Sequence, residues 1–201
     1  GEHYNVAIGF YSLATEVSGA TGCVAIGHQA LEDQNVASAN NTAVGYQAAL
    51  NLTTGTNSVY MGYLAGGVGV ITGNNNTVIG KSAGEDLVGG YSNVLVGMNA
   101  GMNLTDNYGC VAIGVGALDA ANTGELFNIA IGTNALGVET SGADGCVAVG
   151  TNALAAQDRD ASANTAIGHN ALAALRATGG GNYGGIQNTA VGYEAGVSGV
   201  F

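Results

Sequence analysis

The chain has 201 residues, 36 of them glycine and none proline or tryptophan, with 47% hydrophobic and 8% charged residues. So much apolar content excludes a disordered chain, and abundant glycine without proline excludes collagen. The formal net charge of −11, with Lys81, Arg159 and Arg176 as the only lysine and arginines, argues against nucleic-acid binding, which needs clustered basic residues. No apolar run approaches the length of a membrane-spanning helix.

Taken in chain order, one five-residue motif recurs. It begins as Asn5-Val6-Ala7-Ile8-Gly9 and returns as CVAIG at 23, NTAVG at 41, SVYMG at 58, NTVIG at 76 and NVLVG at 93. CVAIG at 110, NIAIG at 128, CVAVG at 146, NTAIG at 164 and NTAVG at 188 complete the series. Its closing glycines are Gly9, Gly27, Gly45, Gly62, Gly80, Gly97, Gly114, Gly132, Gly150, Gly168 and Gly192, and nine of the ten intervals are 17 or 18 residues. A fixed short period signals a stacked repeat architecture. The expectation is all-β: a single parallel β-solenoid over 1–201, of about 11 coils with 17–18 residues each. The last interval is 24 residues long and places an insertion at 176–187, a solenoid loop of the kind that often marks a binding face.

Within a repeat, positions two and four are Val, Thr, Ile or Met and share one side of a strand. They are read as the coil interior. Position three, usually Ala (Ala7, Ala25, Ala43, Ala112, Ala130, Ala148, Ala166, Ala190), is then read as facing a second chain. The glycine at position five marks a bend or a close backbone approach. The segment after it, such as Gln29-Ala30-Leu31, is read as a second strand or a corner. The remainder is polar and turn-forming. Position one holds Asn5, Asn41, Asn76, Asn93, Asn128, Asn164 and Asn188, an asparagine ladder between stacked strands. Cys23, Cys110 and Cys146 occupy the same position. Two repeats put Cys110 and Cys146 roughly 9–10 Å apart, too far for a disulfide, so they read as small buried thiols.

In NTAVGYQAAL at 41–50 and NTAIGHNAL at 164–172, the chain resembles the head repeats of YadA-type trimeric autotransporter adhesins and the NTAIGxxAL repeats of bacteriophage tail fibres. The resemblance runs through essentially the whole chain. It implies a left-handed parallel β-roll, three chains packed as a homotrimer, and an extracellular location on a cell surface or virion. It also implies attachment to a host-surface glycan or protein.

No catalytic constellation is present, and the chain reads as a non-enzyme. His28 and His169 share position six with Tyr46, Lys81, Met98 and Thr133, a chemical variety typical of surface, and His3 lies near the start. HExxH, P-loop, CxxC and nucleophile-elbow patterns are absent. The hexapeptide acyltransferase coil needs an aliphatic residue every six positions, and Ile26 is followed by Glu32 and Ser38. The acidic residues Glu32, Asp33, Glu85, Asp86, Asp106, Asp119, Glu139, Asp144, Asp158 and Asp160 gather in the variable half. There they either bind Ca²⁺ between loops or keep a fibre soluble by self-repulsion. No other cofactor is expected. Phe10, Tyr46, Tyr63 and Tyr193, all at position six, are candidate glycan contacts. Asn40, Asn51, Asn75 and Asn103 lie in N-x-[ST] sequons. The chain starts and stops almost on a repeat, which suggests a segment of a longer protein, a processed chain, or a unit capped by end-to-end copies of itself. Homotrimeric fibre segment and end-to-end filament subunit are therefore the two readings carried forward.

Overall fold

In a computed structural model, residues 4–15, 19–35, 39–67, 69–120, 126–139, 143–157, 162–174 and 186–197 are described. Each repeat contributes one three-residue strand from motif positions two to four. These are β1 (Val6–Ile8), β2 (Val24–Ile26), β3 (Thr42–Val44), β4 (Val59–Met61), β5 (Thr77–Ile79), β6 (Val94–Val96), β7 (Val111–Ile113) and β8 (Ile129–Ile131). They continue with β10 (Val147–Val149), β12 (Thr165–Ile167) and β13 (Thr189–Val191). The eleven form one parallel sheet in chain order, each paired with the next position for position. Two short strands from the variable half, β9 (Val138–Glu139) and β11 (Ala156–Gln157), pair in parallel as a second sheet. The described residues contain no helix, and the chain is a β-solenoid. Most of the insertion expected at 176–187 lies outside the described residues.

The inward and outward faces are the reverse of the sequence reading. Position three is the buried one: Ala25, Ala43, Tyr60, Val78, Leu95, Ala112, Ala130, Ala148 and Ala166 are all fully buried. Positions two and four flank it with half-buried or exposed side chains. The physical reason is the narrowness of the coil. A buried strand centre faces the corner that follows the glycine, and the two must share one small space. Where position three is Ala, as in Ala25, Ala112, Ala130, Ala148 and Ala166, the corner supplies a buried leucine: Leu31, Leu118, Leu136, Leu154 or Leu172. Where position three is large, the corner is glycine. A Cβ on Gly66 would sit 2.5 Å from Tyr60 Cε1, and one on Gly101 would sit 2.8 Å from Leu95 Cδ2. Ala43 with Ala49 and Ala190 with Gly196 fall outside this exchange; Ala43 is in register with Tyr60 of the next coil.

The corner itself is a turn, not a strand. Left-handed residues alternate along it, as at Gln29 (φ 55°) and Leu31 (φ 49°). That conformation costs about 1–2 kcal/mol for an ordinary residue, and complete burial of a leucine, worth about 1.5–3 kcal/mol, offsets it. The corner also joins coils. The Gln29 N–H donates to the Phe10 carbonyl at 2.8 Å and the Leu31 N–H to the Ala48 carbonyl at 3.1 Å. The variable half adds apolar ballast that its polar composition conceals: Leu52, Ile71, Leu87 and Leu104 are fully buried.

Position one shares the inward side with position three. Asn93 Oδ1 accepts from the Cys110 N–H of the next coil at 2.9 Å, while its Nδ2 donates to the Asn107 carbonyl at 2.8 Å. Asn41, Asn76 and Asn128 repeat this two-way clamp. The ladder is therefore mainly amide to backbone, closing each coil on itself and tying it to its neighbour, and at its end Asn188 Nδ2 also donates to Asn164 Oδ1 at 3.0 Å. Cys23, Cys110 and Cys146 are buried and form no disulfide.

Candidate functional site

The position-five glycines define the edge beyond which position six projects. All eleven have φ between 128° and 139°. A Cβ on Gly97 would collide with the carbonyl of Gly114 in the next coil. Glycine thus lets successive coils close to strand spacing just where the chain leaves the sheet.

Beyond that edge the position-six rings stand in a file. Phe10 stacks on His28 at 5.6 Å between centroids, His28 on Tyr46 at 5.1 Å, and Tyr46 on Tyr63 at 5.4 Å. His169 and Tyr193 form a second stack at 5.4 Å. Phe10, Tyr46, Tyr63 and Tyr193 are all exposed. This geometry restricts what they can bind. Both faces of Tyr46 are covered by its neighbours, so a sugar can reach only its edge and hydroxyl. Among the described residues, a ring face without a stacked neighbour occurs only where a file ends: at Phe10, which Tyr11 meets edge-on, and Tyr63 in the first, and at His169 and Tyr193 in the second. Glu194, hydrogen-bonded and negative, holds the Tyr193 phenol above its ordinary value. The Nδ1 atom of His28, within the file, is buried without a hydrogen-bond partner.

A third aromatic file escaped the sequence reading. Tyr91 and Tyr108 stack at 4.8 Å, and Phe127 meets Tyr108 edge-on at 5.2 Å. Parallel bridges Tyr91 to Tyr108 and Tyr108 to Leu126 hold the backbone there. The available signal was a tyrosine two residues before the motif in two consecutive repeats. It lay in the half of the repeat dismissed as variable loop.

The acidic residues do not converge. Asp106 Oδ1 accepts from the Gly89 N–H at 3.1 Å, and Asp144 Oδ1 accepts from the Leu126 N–H at 2.8 Å. Both carboxylates thereby tie adjacent coils. Burial raises the Asp119 carboxyl above the usual carboxylate range. Asp158 and Asp160 lie outside the described residues. Among the described residues no group of three or more His, Cys, Asp or Glu is placed to hold a metal ion. An open groove of about 290 Å³ is lined by Thr15, Asp33, Asn35 and Thr53, where the Thr15 hydroxyl donates to Asp33 at 2.7 Å. No helix among the described residues is long and apolar enough to cross a membrane.

A further surface feature is the outer face of the main sheet. Positions two and four form two straight rows across all eleven strands. Position four is aliphatic in every repeat, and Ile8, Met61, Ile113, Ile131, Ile167 and Val191 are exposed. No family model, curated protein or solved structure matches this chain.

Proposed function

We propose that this chain is a non-enzymatic structural segment of an extracellular fibre that takes part in attachment to a host or cell surface. One observation carries the reading. The buried polar groups at position one and the position-five glycines all serve coil-to-coil stacking, while exposed rings are repeated along the outside. Ten strand-to-strand steps at about 4.8 Å make a rod of roughly 50 Å, a shape suited to presenting surface at a distance. The resemblance to adhesin heads and phage fibres supports a left-handed coil, three chains per shaft and a place on a virion or cell surface. The bound partner is a surface glycan or protein, with the exposed file-end rings Tyr63 and Tyr193 as contacts. The carboxylates are read as solvated charge that keeps the fibre soluble, without a bound cation.

The test is binding of the fluorescently labelled chain to a glycan array and to intact bacterial cells. Saturable binding that falls at least tenfold in a Tyr63→Ala/Tyr193→Ala double variant is the expected result, since loss of ring stacking on a sugar is worth about 1–3 kcal/mol by analogy with base stacking. Equal binding by both proteins would remove the rings from the attachment role. Absence of saturable binding to either would leave a purely structural filament as the better reading.

A further inference from the structure

Along position six, the rings of Phe10, His28, Tyr46 and Tyr63 are followed by Lys81, Met98 and Val115. The file thus ends against a lysine. β4 and β5 pair in register, Met61 with Ile79, and the register persists past the glycines. The Gly80 N–H donates to the Met61 carbonyl at 2.8 Å, and the Ser82 N–H to the Tyr63 carbonyl at 2.9 Å. At the backbone, Lys81 therefore stands one strand spacing, about 4.8 Å, beyond Tyr63. Lys81 is exposed and is the only Lys or Arg among the described residues. It makes no ion pair with any of them, although the chain has 14 Asp and Glu against 3 Lys and Arg. An unpaired ammonium beside an exposed ring is the one place among the described residues where both an anion and a flat apolar surface are met at once.

We infer that Tyr63 and Lys81 form a subsite for an anionic sugar. The pyranose lays its C–H face on the Tyr63 ring, and its carboxylate or sulfate accepts a hydrogen bond from the Lys81 ammonium. The inference rests on the attachment reading and names the class of glycan recognised. Each half needs the other. An exposed ion pair is worth little by itself, and a ring alone does not tell a charged sugar from a neutral one. A lysine also suits the place beyond Tyr63 better than a fifth ring would. Its flexible four-carbon stem can swing off the tyrosine face while the head group stays in water, whereas Tyr46 is held between two rings. An acidic peptide is the weaker fit, since it presents charge without a flat C–H face and the row offers it a single cation. The exposed end of the second file has the opposite character. Tyr193 is hydrogen-bonded to Glu194, so that end repels a negative sugar and suits a neutral one.

The test is the affinity in solution of the full 201-residue chain for three matched oligosaccharides. One ends in a carboxylate-bearing sugar, one carries a sulfate ester at that end, and one is neutral. The expected result is a preference for an anionic form of about fivefold, the scale of an exposed ion pair, shrinking as salt is raised. Preference for the carboxylate, the sulfate or both supports the subsite and identifies the group. Lys81→Met, which copies Met98 of the next coil, is expected to keep the neutral affinity and lose the preference. Lys81→Arg should retain it. Arg176→Gln removes the same unit charge elsewhere and should retain it as well. Unchanged far-UV circular dichroism confirms that each variant is folded. Equal affinity for charged and neutral forms overturns the inference. So does a preference that survives Lys81→Met, one lost equally in Arg176→Gln, or polyglutamate that competes as well as the anionic sugar. All of these leave the attachment reading standing, as does binding to cells without affinity for any of the three sugars, which overturns the subsite alone. Absence of binding to sugars and cells alike overturns both.

Discussion

At the residue scale, two positions show how little slack the coil has. Gly97 has φ 138° and faces the Gly114 carbonyl at sub-contact range. That conformation is essentially closed to side-chain-bearing residues. Gly97→Ala is expected to destabilise the array by about 3 kcal/mol or more, read as a lowered urea midpoint. Tyr60 presents the opposite problem, a large polar ring inside the coil. Its hydroxyl lies by Ser58 and Asn76 but completes no hydrogen bond with them. Burial pushes its phenol from 10.0 up to about 12. The fold thus favours the neutral phenol. Its contribution is fully present below pH 10 and is lost as pH rises towards 12, a decline on the order of 2–3 kcal/mol in all. Urea midpoints measured from pH 9 to 12 should fall more steeply for the parent than for Tyr60→Phe, which has no proton to lose. Parallel curves would show that the phenol reaches water. At neutral pH the Phe variant should be at least as stable, since it removes a buried hydroxyl that lacks a partner.

At the scale of the element, the unit is not the strand but the strand with its corner. Three residues of strand cannot bury a core alone. The corner completes it with either a leucine opposite an alanine or a glycine opposite a larger residue. This makes position three and the corner a coupled pair. Tyr60→Ala alone opens a cavity and is expected to cost about 3–5 kcal/mol. Gly66→Leu alone drives a side chain into the Tyr60 ring. Combined, they recreate the pairing of Ala25 with Leu31, in a corner where leucine already sits at positive φ. The double variant should be more stable than the sum of the two single changes by about 1–3 kcal/mol, measured as a double-mutant cycle in urea. Additive effects would mean that the two residues do not share one space. The aromatic files belong to this scale too. Each ring is set by its own coil but is held by the rings before and after it.

For the molecule as a whole, stability comes from contacts between neighbouring coils, because no strand of the main sheet meets any other than the one before and the one after. Such arrays behave as a sum of unit and interface contributions. A defect in the middle therefore divides the chain. Gly97→Ala, in the sixth of eleven repeats, is expected to broaden or split the thermal melt, and the parent is expected to melt in one step. A single sharp transition at lower temperature in the variant would show longer-range coupling.

The repeat spacing alone determined the solenoid, the parallel order of its strands and the stacking of the asparagines in one row, because a 17–18-residue period with a strand-sized motif has few other ways to bury itself. Which side of the strand faced inward was decided only by the tertiary structure. Hydropathy ranks Val24 and Ile26 above Ala25, and on that scale the larger pair belongs inside. The coil is too narrow for two branched rows and a corner leucine together, so volume overrode hydropathy. The clue was present in Tyr60 with Gly66, Val78 with Gly84 and Leu95 with Gly101, an exchange of size six residues apart. It acquires meaning only once both residues are known to face one interior. The file of Tyr91, Tyr108 and Phe127 was hidden for a similar reason. Its rings come from segments without a shared motif, and only stacking the coils at strand spacing brings them together.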